Sequence, residues 1–243
     1  MQIFAHRGAS SEAPENTLIA FSKAIEIGVD FIELDIHISK DKEIVVIHDE
    51  NTLRTTGQEG NIKKMTLAEI KKLNCGNEEY GAEIPTLEET INLTKDKINL
   101  QIEIKSTRLI DPLMHLLKKY DILHSVLISS FNHRELFKIQ KIDPSIKLAS
   151  LEPTGVGWIL NWVFRKGIVN NAINNKFYAI HPLFKIANQK MVNYAHENGI
   201  KVNVWTIDRK RWIEKFAGMG VDGIITNNPR FVKDLLINKH IYK

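Results

Sequence analysis

The 243 residues, 43% hydrophobic and 26% charged, have the balance of an ordinary globular protein and suffice for one large α/β barrel or two smaller domains. The net charge of +4 comes without a dense basic run, which argues against nucleic acid as a partner and is compatible with an anionic small-molecule substrate. Cys75 is the single cysteine, so no intrachain disulfide forms; no apolar run approaches the roughly 20 residues that cross a bilayer and no charged leader precedes the first strand, so a cytoplasmic enzyme is expected.

Gln2-Ile3-Phe4-Ala5 reads as a strand that ends in His6-Arg7-Gly8. Pro14-Glu15-Asn16-Thr17 follows, and Asn16 or Thr17 caps a helix with Leu18, Phe21 and Ile25 along one stripe and Gly28 at its end. The second strand, residues 30–38, alternates: Glu33, Asp35 and His37 share one face, and Ile32, Leu34 and Ile36 the other. The polar stretch Ser39-Lys40-Asp41-Lys42-Glu43 is a tight turn, after which Ile44-Val45-Val46-Ile47-His48 runs back beside the second strand and carries His48-Asp49. Residues 50–84 are the least regular part, with a capping box at Thr66-Leu67-Ala68-Glu69 and a turn at Cys75-Gly76-Asn77, and read as an insertion.

A second capping box, Thr86-Leu87-Glu88-Glu89, opens a helix leading to Leu100-Gln101-Ile102-Glu103-Ile104-Lys105, a strand with Glu103 and Lys105 on one face. Pro112 opens a helix with Leu113, Leu116, Leu117 and Tyr120 at core spacing. Strand-like runs follow at 126–130, 147–151, 177–180, 201–206 and 223–226. With the 44–48 run counted as an excursion, eight βα units predict a single-domain (β/α)8 TIM barrel over 1–243, with its site at the C-terminal ends of the strands. A doubly wound sheet is the alternative, and it lacks its usual Gly-rich phosphate loop here.

Two carboxylates side by side repel, and if the Glu33 and Asp35 strand neighbours the Glu103 strand, three converge. Burying them unpaired is costly, and a divalent cation resolves the conflict. Carboxylate oxygens plus water suit Mg²⁺ or Ca²⁺, and no histidine or cysteine spacing recommends zinc. Taken singly, a Glu-x-Asp pair is more often a solvated strand face, and His6, His37 and His48 are more often packing groups. The clustering of two histidines, an arginine and a carboxylate pair within fifty residues points instead to a site.

In this order, Ala5-His6-Arg7-Gly8, Pro14-Glu15-Asn16-Thr17, Ile32-Glu33-Leu34-Asp35, His48-Asp49, Glu103-Ile104-Lys105, Val204-Trp205-Thr206 and Ile224-Ile225-Thr226 resemble the glycerophosphodiester phosphodiesterase family. The resemblance implies a (β/α)8 barrel with a small insertion after the second strand. It implies Glu33, Asp35 and Glu103 as ligands of one divalent cation, His6 and His48 as paired acid and base, and Arg7 and Lys105 as phosphate-binding groups. Trp205 would wall the glycerol, with barrel packing as its alternative reading.

The implied reaction is hydrolysis of glycerophosphodiesters to glycerol 3-phosphate and a free alcohol such as choline or ethanolamine. Lysophospholipase D activity on lysolipids is the alternative; a non-catalytic phosphoester-binding barrel would have little use for two proton-transfer groups. Two positions depart from the family pattern: Asn227 stands where aspartate is common, and Asp208 where asparagine is common. Residues 153–173 carry Trp158 and Trp162 followed by Arg165 and Lys166, and read either as a face for weak membrane contact or as a buried helix or dimer contact.

Overall fold

A computed structural model describes residues 1–76, 80–154 and 161–242. Among these residues nine strands succeed one another as β1 (Gln2–His6), β2 (Phe31–Ile38), β3 (Ile44–Val46), β4 (Asn99–Ile104), β5 (Val126–Ser130), β6 (Lys147–Glu152), β7 (Ala179–Pro182), β8 (Lys201–Val204) and β9 (Gly223–Thr226). Pairing runs β1-β9-β8-β7-β6-β5-β4-β2, and β1 also pairs with β2, closing eight parallel strands into the predicted TIM barrel. β3 stays outside the ring, antiparallel to β2, with His37 opposite Val45.

Helices α1 (Leu18–Ile27), α2 (Leu53–Thr56), α3 (Leu67–Ile70), α4 (Leu87–Thr94), α5 (Ile110–Lys119), α6 (His133–Ile142), α7 (Trp162–Asn174), α8 (Gln189–Glu197), α9 (Lys210–Gly218) and α10 (Pro229–Asn238) connect them. Alternation along the strands makes two cores. Ile3, Ile32, Leu34 and Ile102 face the helices in the main apolar cluster. Inside the barrel, Phe4 stacks on Phe31 at 4.5 Å, and Leu127, Ala149, Ala179 and Ile225 complete the filling beneath the site. Burial pushes the His181 imidazole in this interior down to about 3, and its Nε2 accepts from Asn203 at 2.9 Å.

Local signals explain most boundaries. Thr17 accepts from the Ala20 amide and starts α1, while Gly28, at φ 70°, supplies the left-handed residue that ends it. Thr66 and Thr86 form the two expected capping boxes. α5 begins at Ile110, two residues before Pro112, because proline is tolerated in a first turn whose amides have no intrahelical acceptor. β7 begins at Ala179 rather than 177, since Phe177 turns away to stack on Phe137 of α6 at 5.7 Å. Between β3 and α4 the chain gathers around its own apolar cluster of Val45, Ile47, Ile62, Ile70, Leu73, Cys75 and Ile84. Burial in this cluster pushes the Cys75 thiol up to about 11, a packing group rather than a reactive one.

Trp162 on α7 packs edge-on against Tyr194 of α8 at 5.6 Å, with Lys190 4.3 Å from its ring centre. Trp158 and Asn77 lie outside the described residues. Among those described, no helix is long and apolar enough to cross a membrane.

Candidate active site

The site sits where β1, β2 and β4 end. In the closed ring β2 lies between the other two, with His6 opposite Glu33 and Asp35 opposite Glu103. The condition for three converging carboxylates is thus met: Glu33, Asp35 and Glu103 are buried, and each offers an oxygen within 4.8 Å of the others. Burial and the charge on Asp35 raise Glu33 well above the ordinary carboxylate range and Glu103 to about 7. Burial acts on Asp35 in the same direction, but Lys105 and Arg7 outweigh it and hold this carboxyl below its usual value.

Cations and donors ring the carboxylates. Lys105 Nζ stands 2.9 Å from Glu103 and 3.6 Å from Asp35; Arg7 Nε is 3.4 Å from Asp35, and the Arg7 amide donates to Glu33 at 2.9 Å. Arg7 itself takes φ 57° and the next residue, Gly8, φ 81°. A Cβ at Gly8 would fall 2.8 Å from Ala20 backbone and side-chain carbons, so the sharp turn off β1 needs glycine both for its angle and for α1 to approach. That turn aims the Arg7 amide and guanidinium back over the carboxylates.

His6 Nε2 lies 3.9 Å from Glu33, while Nδ1 is 2.7 Å from the side-chain oxygen of Asn227. Burial, then the charge of Arg7, lowers the pKa of His6 and favours the neutral imidazole. His48 comes from outside the barrel. Beyond β3 the chain crosses the end of β2, with the Ile47 amide donating to the Asp35 carbonyl at 3.0 Å. His37 Nε2 then donates to the His48 carbonyl at 3.0 Å. The His48 ring faces Lys105 Nζ through Nε2 at 3.1 Å and Asp49 through Nδ1 at 2.6 Å. Both histidines therefore turn Nδ1 to a fixed acceptor and Nε2 to the site.

The catalytic, metal-ligand and substrate-binding candidates of the sequence all fall in this region. His6, Arg7, Glu33, His48, Glu103, Lys105 and Trp205 line one cavity of about 60 Å³, and Asp35 lies among the carboxylates at its edge. The Trp205 ring meets Phe131 edge-on at 5.6 Å and donates its N–H to the His181 carbonyl at 2.7 Å, so one side of the cavity is aromatic and apolar. A roomier cleft of about 710 Å³ near the start of α5 is lined by Lys40, Lys42, Lys63 and Arg108, but holds no histidine and the single carboxylate Asp111.

Four supporting residues were missed. Asn16, expected as a possible helix cap, is buried at φ 57°; its amide donates to Asp35 at 2.9 Å, and its oxygen accepts from the Asp35 backbone at 3.3 Å. Glu15 accepts from Arg7 at 2.9 Å and from Arg54 at 2.6 Å, and Arg54 also holds Asp49. The motifs Pro14-Glu15-Asn16-Thr17 and His48-Asp49 were the available signal for Glu15, Asn16 and Asp49. Nothing in the pattern marked Arg54.

The donor set fits a hard divalent cation. Three carboxylates are crowded in one buried place, and burial, then the charge on Asp35, raises Glu33 and Glu103; a divalent charge would offset both.

A parallel barrel with acidic, basic and imidazole groups gathered at its strand ends has the make-up of an enzyme for acid–base chemistry on a charged substrate. The sequence profile of the glycerophosphoryl diester phosphodiesterase family matches residues 6–231, and the chain belongs to that family. It is 40% identical to the glycerophosphodiester phosphodiesterase of Caldanaerobacter subterraneus, over 96% of this chain and 97% of the relative. A human lysophospholipase D is 28% identical over 96% of this chain and 85% of its own. Among solved structures, a phosphodiesterase of Oleispira antarctica bound to its product sn-glycerol-3-phosphate superposes with a TM-score of 0.87 at 27% identity, covering 98% of this chain and 97% of the other.

Proposed function

We propose that the chain hydrolyses water-soluble glycerophosphodiesters to glycerol 3-phosphate and an alcohol, with His6 and His48 as the proton-transfer pair. The observation that carries this reading is that both imidazoles present Nε2 around one buried carboxylate cluster flanked by Arg7 and Lys105. A bound Mg²⁺ or Ca²⁺, held by Glu33, Asp35 and Glu103, would supply positive charge against that developing at phosphorus.

Arg7 and Lys105 bind the phosphate oxygens and keep them stationary as charge grows. One imidazole removes the proton of the attacking hydroxyl at Nε2, and the other returns a proton to the departing alkoxide. The histidine acting as acid must present a hydrogen at Nε2; for His48 this requires Lys105, a donor 3.1 Å from that nitrogen, to turn to the phosphate, while Asp49, 2.6 Å from Nδ1, holds the ring. Trp205, steadied by Phe131, forms the apolar wall for the glycerol carbons. The attacking hydroxyl belongs either to the substrate's own glycerol, giving a cyclic phosphate that water then opens, or to water directly.

In this reading 1–243 act as one domain, with residues 50–84 an insertion that brings Arg54 to Asp49 and Glu15. The proposed setting is the cytoplasm, in keeping with a single, buried cysteine. A second reading, cleavage of lysolipids, is favoured by the half-exposed Phe131 at the apolar side of the cavity and by the human relative. Any membrane contact through 153–173 would use Val163, which is 77% exposed, more than Trp162, which packs on α8.

Separate incubation with glycerophosphocholine and lysophosphatidylcholine, each under Mg²⁺ and under Ca²⁺, tests both readings. Glycerol 3-phosphate and choline from the first substrate alone support the main one. Choline from lysophosphatidylcholine alone supports the second, and no product from either refutes both.

A further inference from the structure

The two positions that depart from the family pattern are hydrogen-bonded to each other and end on His6. Asp208, just past β8, accepts three donors: the Asn227 amide N–H and the Thr226 hydroxyl at 2.8 Å each on Oδ1, and Asn227 Nδ2 at 2.7 Å on Oδ2. A carboxylate can only accept, so Asn227 must turn its NH₂ toward Asp208 and its oxygen toward His6. That oxygen lies 2.7 Å from His6 Nδ1, with the Ser10 hydroxyl 3.2 Å away and also 2.8 Å from the His6 carbonyl. An amide oxygen likewise only accepts. Nδ1 must therefore carry the hydrogen, which leaves Nε2 bare in the neutral ring.

We propose that Asn227 and Asp208 are positioning residues for His6: Asp208 fixes the orientation of the Asn227 amide, and the amide fixes the imidazole as the Nδ1–H tautomer with Nε2 presented to substrate. This rests on His6 being a proton-transfer group, as proposed above. The contrast with His48 lies in how each ring reaches its carboxylate. Asp49 touches its ring directly, whereas Asp208 reaches His6 only through an intervening neutral amide. Exchanging the two residue types preserves the chain of contacts, because an aspartate at 227 accepts from both His6 and an asparagine at 208. Either single change breaks it. Asp208→Asn frees the amide at 227 to flip and offer N–H to Nδ1, and Asn227→Asp sets two carboxylates against each other.

The test combines ¹⁵N NMR of histidine-labelled protein with steady-state kinetics on glycerophosphocholine for wild type, D208N, N227D and the double exchange D208N/N227D. Expected are a wild-type His6 signal of the Nδ1–H form, a mixed or Nε2–H form in D208N with kcat down about 10- to 100-fold and KM within about 2-fold, and recovery of both tautomer and kcat in the double exchange. A wild-type His6 carrying its hydrogen on Nε2 overturns the proposal, as does D208N with unchanged kcat and tautomer. So does a loss of kcat that follows the melting temperature while the tautomer stays put. His6→Ala serves as the separate control: full turnover there, with chemistry rate-limiting, refutes the proton-transfer role of His6, whereas the NMR signal of wild type still reports whether the hydrogen-bond chain sets the tautomer.

Discussion

The two sides of the barrel mouth differ in kind. Across β1, β2 and β4 stand the carboxylates, Arg7, Lys105 and His6, with His48 leaning in from beyond β3. Toward β5, β6 and β8 the same cavity is bounded by Phe131, Leu151 and Trp205. Charge that would be ruinous if scattered through a barrel is tolerable when concentrated, because Arg7 and Lys105 meet the carboxylates at 2.9 to 3.6 Å. The proposed division of labour is chemistry on one side and substrate shape on the other.

If so, damage to the charged side should destroy turnover while the apolar side tunes affinity. Alanine at Glu33, Asp35 or Glu103 is expected to weaken metal binding and nearly abolish turnover, with the fold retained by the aliphatic layer between strands and helices. Calorimetric titration with Mg²⁺ and Ca²⁺ checks this; wild-type affinity in Glu103→Ala would remove that residue from the metal site.

His6→Ala and His48→Ala should each lower kcat by roughly 10² to 10⁴ with little change in metal affinity. Arg54→Ala, which frees Asp49 and Glu15 without touching the carboxylate cluster, should cost about 10-fold in kcat. Unchanged kcat in that variant would make the Arg54 ion pairs surface decoration. On the other side, Phe131→Ala should raise KM about 10-fold at most with kcat largely kept, and shift the ratio of activities on glycerophosphocholine and lysophosphatidylcholine. A kcat effect as large as that of the histidines would erase the division between the two sides.

The smallest effect expected is on stability against pH. Carboxylates whose pKa is raised by folding are held more easily when neutral, so their contribution is complete below about 4.5 and declines as pH climbs through about 7, the value for Glu103. Metal-free protein should therefore melt lower at pH 8 than at pH 5.5 through these groups, and added Mg²⁺ or Ca²⁺ should raise the melting temperature more at pH 8. Glu103→Gln should flatten that slope; an identical slope in the variant would deny Glu103 any part in it.

How much of this was legible depended on whether a contact follows from strand geometry. Glu33 and Asp35 share a face by alternation alone, and Glu103 joins them once β2 and β4 are neighbours, as consecutive strands of a barrel are. The barrel itself follows from eight alternating units. By contrast, Asn16, Arg54, and the Asn227 and Asp208 pair act where separate loops meet over the mouth, and no local periodicity encodes such meetings. The partner of His37 was hidden for the same reason: it is the backbone of His48, reached only because the chain folds back over β2.

That fold-back has a consequence for assembly. The three clustered carboxylates all lie on strands of the closed ring, but His48 arrives on a strap that the ring does not require, docked by β3, His37 and the small cluster around Ile62 and Ile70. Completion of the ring and completion of the proposed histidine pair are thus separable events. A refolding chain followed in time should regain cation affinity before it regains turnover, the lag measuring how long the strap takes to settle.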